Sequence, residues 1–220
     1  MPAVIISALN ARDSLSELLP QVADAAERLV ISDGGSDDDT LAVSLSHGAV
    51  LALGTAGRGR QLSRGAAWSA ECDWLLFLHS DSRLVETWPE AVSRHINTHP
   101  EKAACFDLRF DSRHWQARIV EGLVWVRSRI LGLPYGDQGL LISRALYDRI
   151  GGYADMDLFE DVDIIRRLGR RRIRSLRTHI MTSAAKYERD GFFKRGWANL
   201  KLLRRYWKGE DISCLIRDYT

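Results

Sequence analysis

The sequence predicts an α/β fold, with a mostly parallel central sheet flanked by helices and a basic, helical C-terminal extension. Short apolar segments alternate with segments of helical periodicity in the first half of the chain, which is typical of β-α-β units. Residues 74–78 form a wholly apolar run, as in strands that are buried on both faces. Aromatic and basic side chains are interleaved after residue 185. We therefore expect a sheet domain over residues 1–185, with residues 186–220 packed on it.

In the first half, each predicted element has its own local signal. Apolar segments predict strands at 4–6, 29–31 and 49–53, and a fourth strand that starts at Trp74 and ends at Asp81. Asp13 is a favourable N-cap for the first helix, and Gly48 is a natural C-cap for the second, which covers about 38–47. A third helix includes the residues that follow Gln61. Because the connections are short and helical, we expect these strands to be parallel.

The alternation changes after the fourth strand. Thr87 and Pro89 open a helix. Residues 105–111 alternate between apolar and charged side chains, which predicts a half-exposed, antiparallel strand. A further helix is lined by Trp115, Ile119, Gly122, Val126 and Ile130.

The remaining predicted elements are short. We expect a strand at 140–142, a helix at 144–150 and another helix that opens at Glu160. The inward face of this last helix is assigned to Val162, Ile165 and Leu168.

The composition of the chain limits the classes of protein to which it can belong. The chain has 220 residues, of which 45% are hydrophobic and 27% are charged, as in ordinary globular proteins. No apolar run approaches the ~20 residues of a membrane span. Residues 1–6 lead directly into a strand, and the three cysteines are widely separated. We therefore expect no secretory signal, no disulfides and a cytoplasmic location.

The net charge of +2 conceals a cationic last third. Residues 166–208 contain fifteen Lys and Arg but two acids, which indicates an anionic partner or substrate. Two interpretations of the basic aromatic segment stay open. It is either a solvated helix that packs Trp197, Leu200 and Leu203 on the core, or a peripheral contact with an anionic membrane. No nucleic-acid motif is present, so we expect no nucleic-acid partner.

Acidic residues stand at three positions that such a sheet would bring together. Asp33 follows the second strand, Asp81 follows the fourth, and Glu160 and Asp161 begin a helix. Ligands in open α/β sheets bind just beyond the carboxyl ends of the strands. Several carboxylates in one cleft need a divalent cation, a basic ligand or a bound proton. Oxygen ligands favour Mg²⁺ or Mn²⁺, which substrate phosphates usually complete.

Each of these acids also has a structural interpretation. Asp81 can begin a turn. Glu160 and Asp161 can stabilise a helix start through the macrodipole, by ~0.3–1 kcal/mol.

The segment Gly57-Arg58-Gly59-Arg60 places two guanidinium groups just before a helix, which suits a diphosphate. The segment is not the dinucleotide fingerprint, because Leu62 stands where the third glycine should be. A P-loop is also absent. These absences disfavour a dehydrogenase and a P-loop nucleotidase.

Four motifs then combine into a resemblance. They are Val4-Ile5-Ile6-Ser7-Ala8-Leu9-Asn10, Ser32-Asp33-Gly34-Gly35-Ser36-Asp37-Asp38-Asp39-Thr40, the strand into His79-Ser80-Asp81, and Glu160-Asp161-Val162-Asp163. In this order they resemble family 2 glycosyltransferases of the GT-A, Rossmann-like fold, over nearly the whole chain. A narrower set resembles the small bacterial subgroup labelled arsenosugar-biosynthesis-type glycosyltransferases. That set is Gly59-Arg60-Gln61, Tyr135-Gly136-Asp137-Gln138-Gly139, Phe159-Glu160-Asp161 and Thr182-Ser183-Ala184.

The resemblance implies a nucleotide-sugar donor, with a UDP-sugar favoured. Asp81 would ligate the Mg²⁺ or Mn²⁺ that bridges the donor diphosphate. His79 stands where the first Asp of the Asp-x-Asp signature often lies, so it contacts ribose or phosphate or has a packing role. The residues assigned to the donor are Ala8, Asn10, Asp33, Arg58, Arg60, His79 and Ser80.

The resemblance also implies an inverting reaction, in which Asp161 is the general base. Glu160 is the second catalytic candidate, and Asp137 and Gln138 are the acceptor candidates. The Gln-x-x-Arg-Trp motif of processive synthases is absent, so we expect a non-processive enzyme. The acceptor stays unidentified, with a lipid-linked acceptor as one option. A non-catalytic relative that binds a nucleotide-sugar or another anion is the alternative function.

Overall fold

One sheet of eight strands organises residues 1–219, the part of the chain that the computed structural model describes. The strands are β1 (Ala3–Ala8), β2 (Arg28–Asp33), β3 (Val50–Leu53), β4 (Trp74–His79), β5 (Arg83–Leu84), β6 (Ala103–Asp111), β7 (Leu140–Ser143) and β8 (Ile173–Ser183). Their spatial order is β3-β2-β1-β4-β7-β6-β8-β5. β1 to β4 are parallel to one another, and β7 is antiparallel to both β4 and β6. The predicted α/β fold with a mostly parallel sheet is therefore confirmed.

Helices cover both faces of the sheet. They are α1 (Arg12–Val22), α2 (Thr40–Ser46), α3 (Arg58–Ala67), α4 (Trp88–Thr98), α5 (Trp115–Arg129), α6 (Arg144–Arg149), α7 (Glu160–Leu168), α8 (Ala185–Asp190), α9 (Phe192–Trp207) and α10 (Ile212–Tyr219). The core strands β1 and β4 are almost entirely buried, as their continuous apolar sequences require. The inward face assigned to α7 is confirmed, because Val162, Ile165 and Leu168 are all buried.

Helix α1 begins differently from the prediction. Its N-cap is Ala11 rather than Asp13, which lies in the first turn. The Ala11 N–H donates to Thr40 Oγ1 at 2.8 Å, and the Arg12 N–H donates to Asp38 Oδ2 at 3.2 Å. The cap is supplied by a loop distant in sequence, so a local signal could not reveal it.

Strand β8 was not among the predicted elements. Leu176, Thr178 and Ile180 alternate inward, but Arg177 between them has φ 58° and the pairing with β6 shifts register there. This irregularity and the neighbouring arginines hide the alternation. β8 is parallel to β6, so β6 has an antiparallel neighbour on one side, as predicted, and a parallel neighbour on the other.

Two helices expose apolar residues that the sequence analysis grouped together. On α5, Trp115, Ile119, Val126 and Ile130 are exposed, and the buried stripe consists of smaller residues such as Ala117. On α9, Leu203 is buried as expected, together with Phe192 and Leu202. Trp197 and Leu200 are exposed, which contradicts the interpretation that packs them on the core. Within residues 1–219, no helix has both the length and the apolar composition to cross a membrane.

Candidate active site

The ends of β1, β2 and β4 meet at one edge of the sheet. Ala8 is in register with Asp33, and Ser7 is in register with His79. β1 lies between the other two strands, so Asp33 and His79 are separated by about two strand spacings, or ~10 Å. This is the edge where open α/β sheets bind ligands.

The loops after β1 and β2 are tied to each other. Asn10 adopts φ 49°, its N–H donates to Ser36 Oγ at 2.9 Å, and its side chain accepts from the Asp37 N–H at 3.0 Å. The buried Asp33 carboxylate accepts from the N–H groups of Gly35 and Ser36, at 2.7 and 2.9 Å. Three of the predicted donor residues thus lie together, because Ala8 and Asp33 end the two strands and Asn10 lies in the first of the two loops.

Gln61 fixes the floor beneath these loops, a role that the sequence did not indicate. Its Nε2 donates to the carbonyls of Ala8 and Ser32, both at 2.8 Å. Arg64 adds a donor to the Asp33 carbonyl at 3.0 Å. Helix α3 therefore links the ends of β1 and β2 before any ligand binds.

A cavity of about 990 Å³ opens beside this edge. Six of the predicted site residues line it: Arg58, His79, Asp81, Asp137, Glu160 and Asp161. Asp33 does not line it, because its carboxylate is turned into its own loop. Asp81, which follows β4, and Glu160 and Asp161 of α7 therefore line one cavity. Asp33 lies outside this cavity, beside the loops at the sheet edge.

Asp161 connects helix α7 to the loop before β7. Its Oδ2 accepts from the Gly136 N–H at 2.7 Å, and its Oδ1 accepts from the Val162 N–H at 2.7 Å. A carboxylate has about four lone-pair sites, so Asp161 keeps capacity to accept a proton or a further hydrogen bond. A Cβ on Gly136 would lie 2.7 Å from His79 Nε2 and 3.2 Å from Asp161 Oδ2. His79 and Asp161 therefore flank the same glycine.

We expect Gly136→Ala to destabilise the protein by about 1–3 kcal/mol, because the methyl group overpacks this contact. It should also lower activity, since Asp161 must move. Thermal unfolding measures the first effect. Gly122→Ala is the control, because apart from its chain neighbours and its own helix backbone no atom of residues 1–219 lies within 4 Å of that Cβ. Alanine also favours the middle of α5 by up to ~1 kcal/mol. Equal stability of the two variants would contradict the close packing around Gly136.

Glu160 is buried beside a cation. Its side chain is 2% exposed, and Oε1 lies 3.5 Å from Arg58 Nη1 without reaching a hydrogen bond. Burial, followed by repulsion from Asp161, raises the Glu160 pKa to about 7, against the opposing effect of Arg58. Near neutral pH Glu160 is therefore divided between its protonated and ionised forms.

This pKa gives stability a pH dependence. Below about pH 4.5, Glu160 is protonated in both the folded and the unfolded chain, so it does not lower the free energy of unfolding. As pH rises towards and through 7, the unfolded chain ionises first, and the free energy of unfolding falls by up to about 3 kcal/mol. Glu160→Gln should therefore raise the melting temperature by several degrees at pH 8 and change it little at pH 4.5. The exposed first-turn Glu90→Gln is the control. Loss of ~0.3–1 kcal/mol at pH 8 for Glu160→Gln would support capping instead.

Asp81 and His79 form the candidate metal site. The Asp81 side chain is 49% exposed, and its Oδ1 lies 4.0 Å from His79 Nδ1. Burial lowers the His79 pKa well below its ordinary value, and the charges of Arg58 and Lys186 add to this effect. The imidazole is therefore neutral at pH 7 and has a lone pair to donate.

The side chains available as metal ligands determine which kind of metal site fits. Among residues 1–219, no group of three or more His, Cys, Asp or Glu is placed to enclose an ion without help. Mg²⁺ and Mn²⁺ commonly use one or two carboxylates, retained waters and substrate phosphates. The Asp81 carboxylate, with His79 next to it, fits an ion of this open kind and does not fit a closed structural metal site.

Three further residues of the cavity lining contain buried polar atoms. Asp137 Oδ1, Tyr135 Oη and Arg127 Nε are buried and form no hydrogen bond within residues 1–219. Burial raises the pKa of Tyr135 to about 12 and also raises that of Asp137, which Arg127 opposes. The Arg127 guanidinium lies 3.9 Å from the centre of the Tyr135 ring. Buried polar groups normally have a hydrogen-bond partner, so these atoms are candidates for contact with a polar ligand or an ordered water.

Besides Ala8, Asn10 and Asp33, three predicted residues lie away from the cavity lining, namely Gln138, Ser80 and Arg60. Gln138 is buried, accepts from Ser128 Oγ at 2.6 Å and donates to the Phe106 carbonyl at 2.9 Å, so it supports the loop that contains Asp137. Ser80 is half-buried in the turn after β4. The structure brings neither side chain to the cavity surface.

Arg60 is engaged elsewhere. Its guanidinium pairs with Asp155 at 2.7 Å and with Asp157, and it donates to the Ala56 carbonyl at 2.8 Å. The structure therefore separates the two arginines: Arg58 lines the cavity, and Arg60 ties α3 to the loop before α7.

Helix α7 starts from a strained residue. Phe159, its N-cap, has φ 65°, which costs a non-glycine residue ~1 kcal/mol. Its ring stacks on Tyr206 of α9, with centroids 4.7 Å apart. Positive φ in a bulky residue is often found at functional sites, because surrounding contacts must hold it. Helix α9 thus supports the turn that precedes Glu160 and Asp161.

Comparisons with known proteins place this geometry in a family. The profile of Glycosyl transferase family 2 matches residues 3–153. No curated protein sequence matches significantly.

Solved structures share the fold. TarS (1–349) from S. aureus, crystallised with UDP, has a TM-score of 0.65 and 17% identity, covering 83% of this chain and 60% of that chain. Glucosyl-3-phosphoglycerate synthase from Mycobacterium tuberculosis, crystallised with Mn²⁺, UDP and glucosyl-3-phosphoglycerate, has a TM-score of 0.56 and 19% identity, covering 83% of this chain and 70% of that chain. This chain therefore spans less than two thirds of the TarS fragment. Since the family profile covers more than half of the sequence, the chain belongs to glycosyl transferase family 2.

Proposed function

We propose that the protein is an inverting, metal-dependent, non-processive glycosyltransferase that moves a sugar from a nucleoside diphosphate donor to an acceptor hydroxyl. The observation that carries the proposal is one cavity lined by Asp81, Arg58 and Asp161. A metal ligand, a cation for phosphate and a candidate base thus face the same space. The subgroup resemblance to arsenosugar-type enzymes is part of the proposal, but it does not define the acceptor.

The donor would span the sheet edge. The paired loops that contain Asn10 and Asp33 would hold the base and ribose, while Arg58 and Lys186 face the cavity as cations for the diphosphate. Binding of UDP by TarS and by the mycobacterial synthase supports UDP as the nucleotide. Asp81, with His79 beside it, would hold Mg²⁺ or Mn²⁺. When bound, that ion would offset negative charge on the departing diphosphate.

The protein's own residues would carry the proton transfer. The acceptor oxygen would bond to the anomeric carbon of the sugar as its proton passes to the Asp161 carboxylate. The bond from that carbon to the phosphate oxygen breaks, and the nucleoside diphosphate leaves with the electron pair. Attack from the opposite face inverts the anomeric centre. A positioned base typically contributes ~10²–10⁴-fold.

Glu160 and Asp137 would support this step from either side. Glu160 lies beside Arg58, so its charge state controls how strongly that guanidinium is held back from a phosphate. Asp137 presents a buried, unpartnered oxygen that can accept a hydrogen bond from the acceptor.

The test is donor turnover by the purified chain. We expect one UDP-sugar of a panel of UDP- and GDP-sugars to be hydrolysed slowly with Mn²⁺ and to raise the melting temperature. EDTA should remove both effects. Thermal stabilisation without turnover by any donor would favour a non-catalytic binding protein instead.

A further inference from the structure

Exposed apolar side chains of α5 and α9 form one continuous surface, the α5–α9 face. Trp197 is 67% exposed and Trp115 is 64% exposed. The rings of Trp115 and Phe193 lie 6.1 Å apart and join the two helices. The remaining apolar members are Ile119, Leu123, Val126, Ile130, Leu200 and Trp207. Contiguous patches of this kind mark interaction sites on soluble proteins.

A row of lysines borders the apolar stripe. At ~100° per residue, the exposed apolar residues of α9 fall within ~80° of arc, which also contains the exposed Arg204, and Lys194, Lys201 and Lys208 occupy the next ~40°. All three lysines are exposed. No carboxylate of residues 1–219 lies within 4 Å of them; the ion pairs of this segment use Arg189, Arg195 and Arg205 instead.

We propose that the α5–α9 face docks on an anionic lipid bilayer. Helices that lie in the bilayer interface combine a Trp, Phe and Leu stripe with a flanking row of Lys or Arg. The aromatic rings would enter the boundary between headgroups and acyl chains, and the lysines would meet lipid phosphates. Each such cation contributes about a fivefold gain in affinity for an anionic surface.

The charge of the face disfavours two other partners. In a two-fold dimer formed through the same face, the lysine rows would lie against a surface that supplies no acids to them. A nucleic acid would pair with the lysines but would leave Ile119, Val126 and Ile130 without an apolar partner. An anionic bilayer offers acyl chains to the apolar side chains and lipid phosphates to the lysines.

The face is continuous with the cavity. Leu123, Phe193, Trp197 and Leu200 belong to the face and also line the cavity. A molecule with an acyl or polyprenyl tail could keep the tail in the bilayer while its hydroxyl reaches Asp161. This last step, an amphiphilic acceptor, rests on the proposed function; the docking surface itself does not.

Vesicle sedimentation of the full chain tests docking without any catalytic readout. We expect binding to phosphatidylcholine vesicles that contain phosphatidylglycerol, weakened by high salt, and little binding to phosphatidylcholine alone. Lys194→Gln with Lys201→Gln should weaken binding about 30-fold, from the loss of two cations. Arg94→Gln with Arg149→Gln removes two exposed cations elsewhere and should leave binding unchanged.

The apolar stripe is tested by Ile119→Ser with Val126→Ser. These residues are exposed and lie outside the cavity lining, so the fold should be kept, which circular dichroism checks. We expect vesicle binding to fall at least ~10-fold, and Trp68→Ser, an exposed tryptophan on α3's end, to have no effect. No binding to anionic vesicles, or binding insensitive to both double variants, would overturn the proposal. Self-association or RNA binding without vesicle binding would overturn it equally, whatever the donor assay shows.

Discussion

Asp161→Asn is expected to lower sugar transfer by ~10²–10⁴-fold while leaving donor binding nearly unchanged. The substitution removes the proton acceptor and keeps only one of the two oxygens, so one of the Gly136 and Val162 N–H groups keeps its acceptor and the other loses it. Asp161 faces the cavity on the side of Asp137 and Gly136, so its loss should not affect the loops that hold the base. Turnover with the preferred donor and titration calorimetry with UDP and Mn²⁺ measure the two quantities separately.

Asp163→Asn is the matched control for this prediction. Asp163 lies one half-turn further along α7, outside the cavity, and pairs with Arg167 at 2.5 Å. If helix-start charge were the whole role of these acids, both variants would lose similar, small amounts of stability and activity. Turnover by Asp161→Asn within tenfold of the unaltered protein, with normal UDP binding, would remove Asp161 as the base.

Local patterns predicted the parts of the fold that depend on neighbours in sequence. The apolar runs of β1, β2 and β4, and the helical spacing of α7, each reflect burial of a short segment. The exposed face of α5 could not be predicted in this way. Periodicity shows which residues share a face, but the larger apolar stripe was not the one that meets the sheet. The structure buries the stripe with smaller side chains, because α5 packs closely on β6.

For the site residues too, strand order could be predicted from the sequence, but side-chain contacts could not. Strand topology brings the ends of β2 and β4 to one edge, so the positions of Asp33 and Asp81 followed from the order of elements. The partners of individual side chains did not follow. Arg60 bonds to residues more than ninety positions away, and the Gln61 amide joins two strand ends. Such contacts depend on tertiary packing, which no local pattern encodes.

The C-terminal helices join the cavity, the helix α7 turn and the surface. Tyr206 supports Phe159, and Leu202 packs with Leu158 and Leu215 beneath the same turn. The residues on the opposite side of α9 form the exposed face. A contact on that face could therefore alter the turn that presents Glu160 and Asp161, through one rigid helix. The extension is then part of the site's support as well as a surface.

Asp81→Asn is expected to remove the metal dependence of donor binding. In the unaltered protein, Mn²⁺ should increase UDP affinity, because Asp81 would hold an ion that offsets the charge of the diphosphate. An amide is a weaker ligand and has no charge, so the gain from Mn²⁺ should fall about 100-fold and turnover by ~10² or more. Metal-free UDP binding, which uses the loops around Asn10 and Asp33, should change little.

Asp111→Asn provides the comparison, since Asp111 lines the same cavity but pairs with Arg83 at 2.7 Å. It should keep the Mn²⁺ response, and so should Asp81→Glu in part, because a carboxylate is retained. A full Mn²⁺ response in Asp81→Asn would place the ion elsewhere. Absence of any Mn²⁺ response in the unaltered protein would instead mean that Arg58 and Lys186 neutralise the diphosphate alone. In that case the exposed Asp81 carboxylate would oppose donor binding, and its replacement by asparagine should strengthen UDP affinity, which is the reverse of the result expected here.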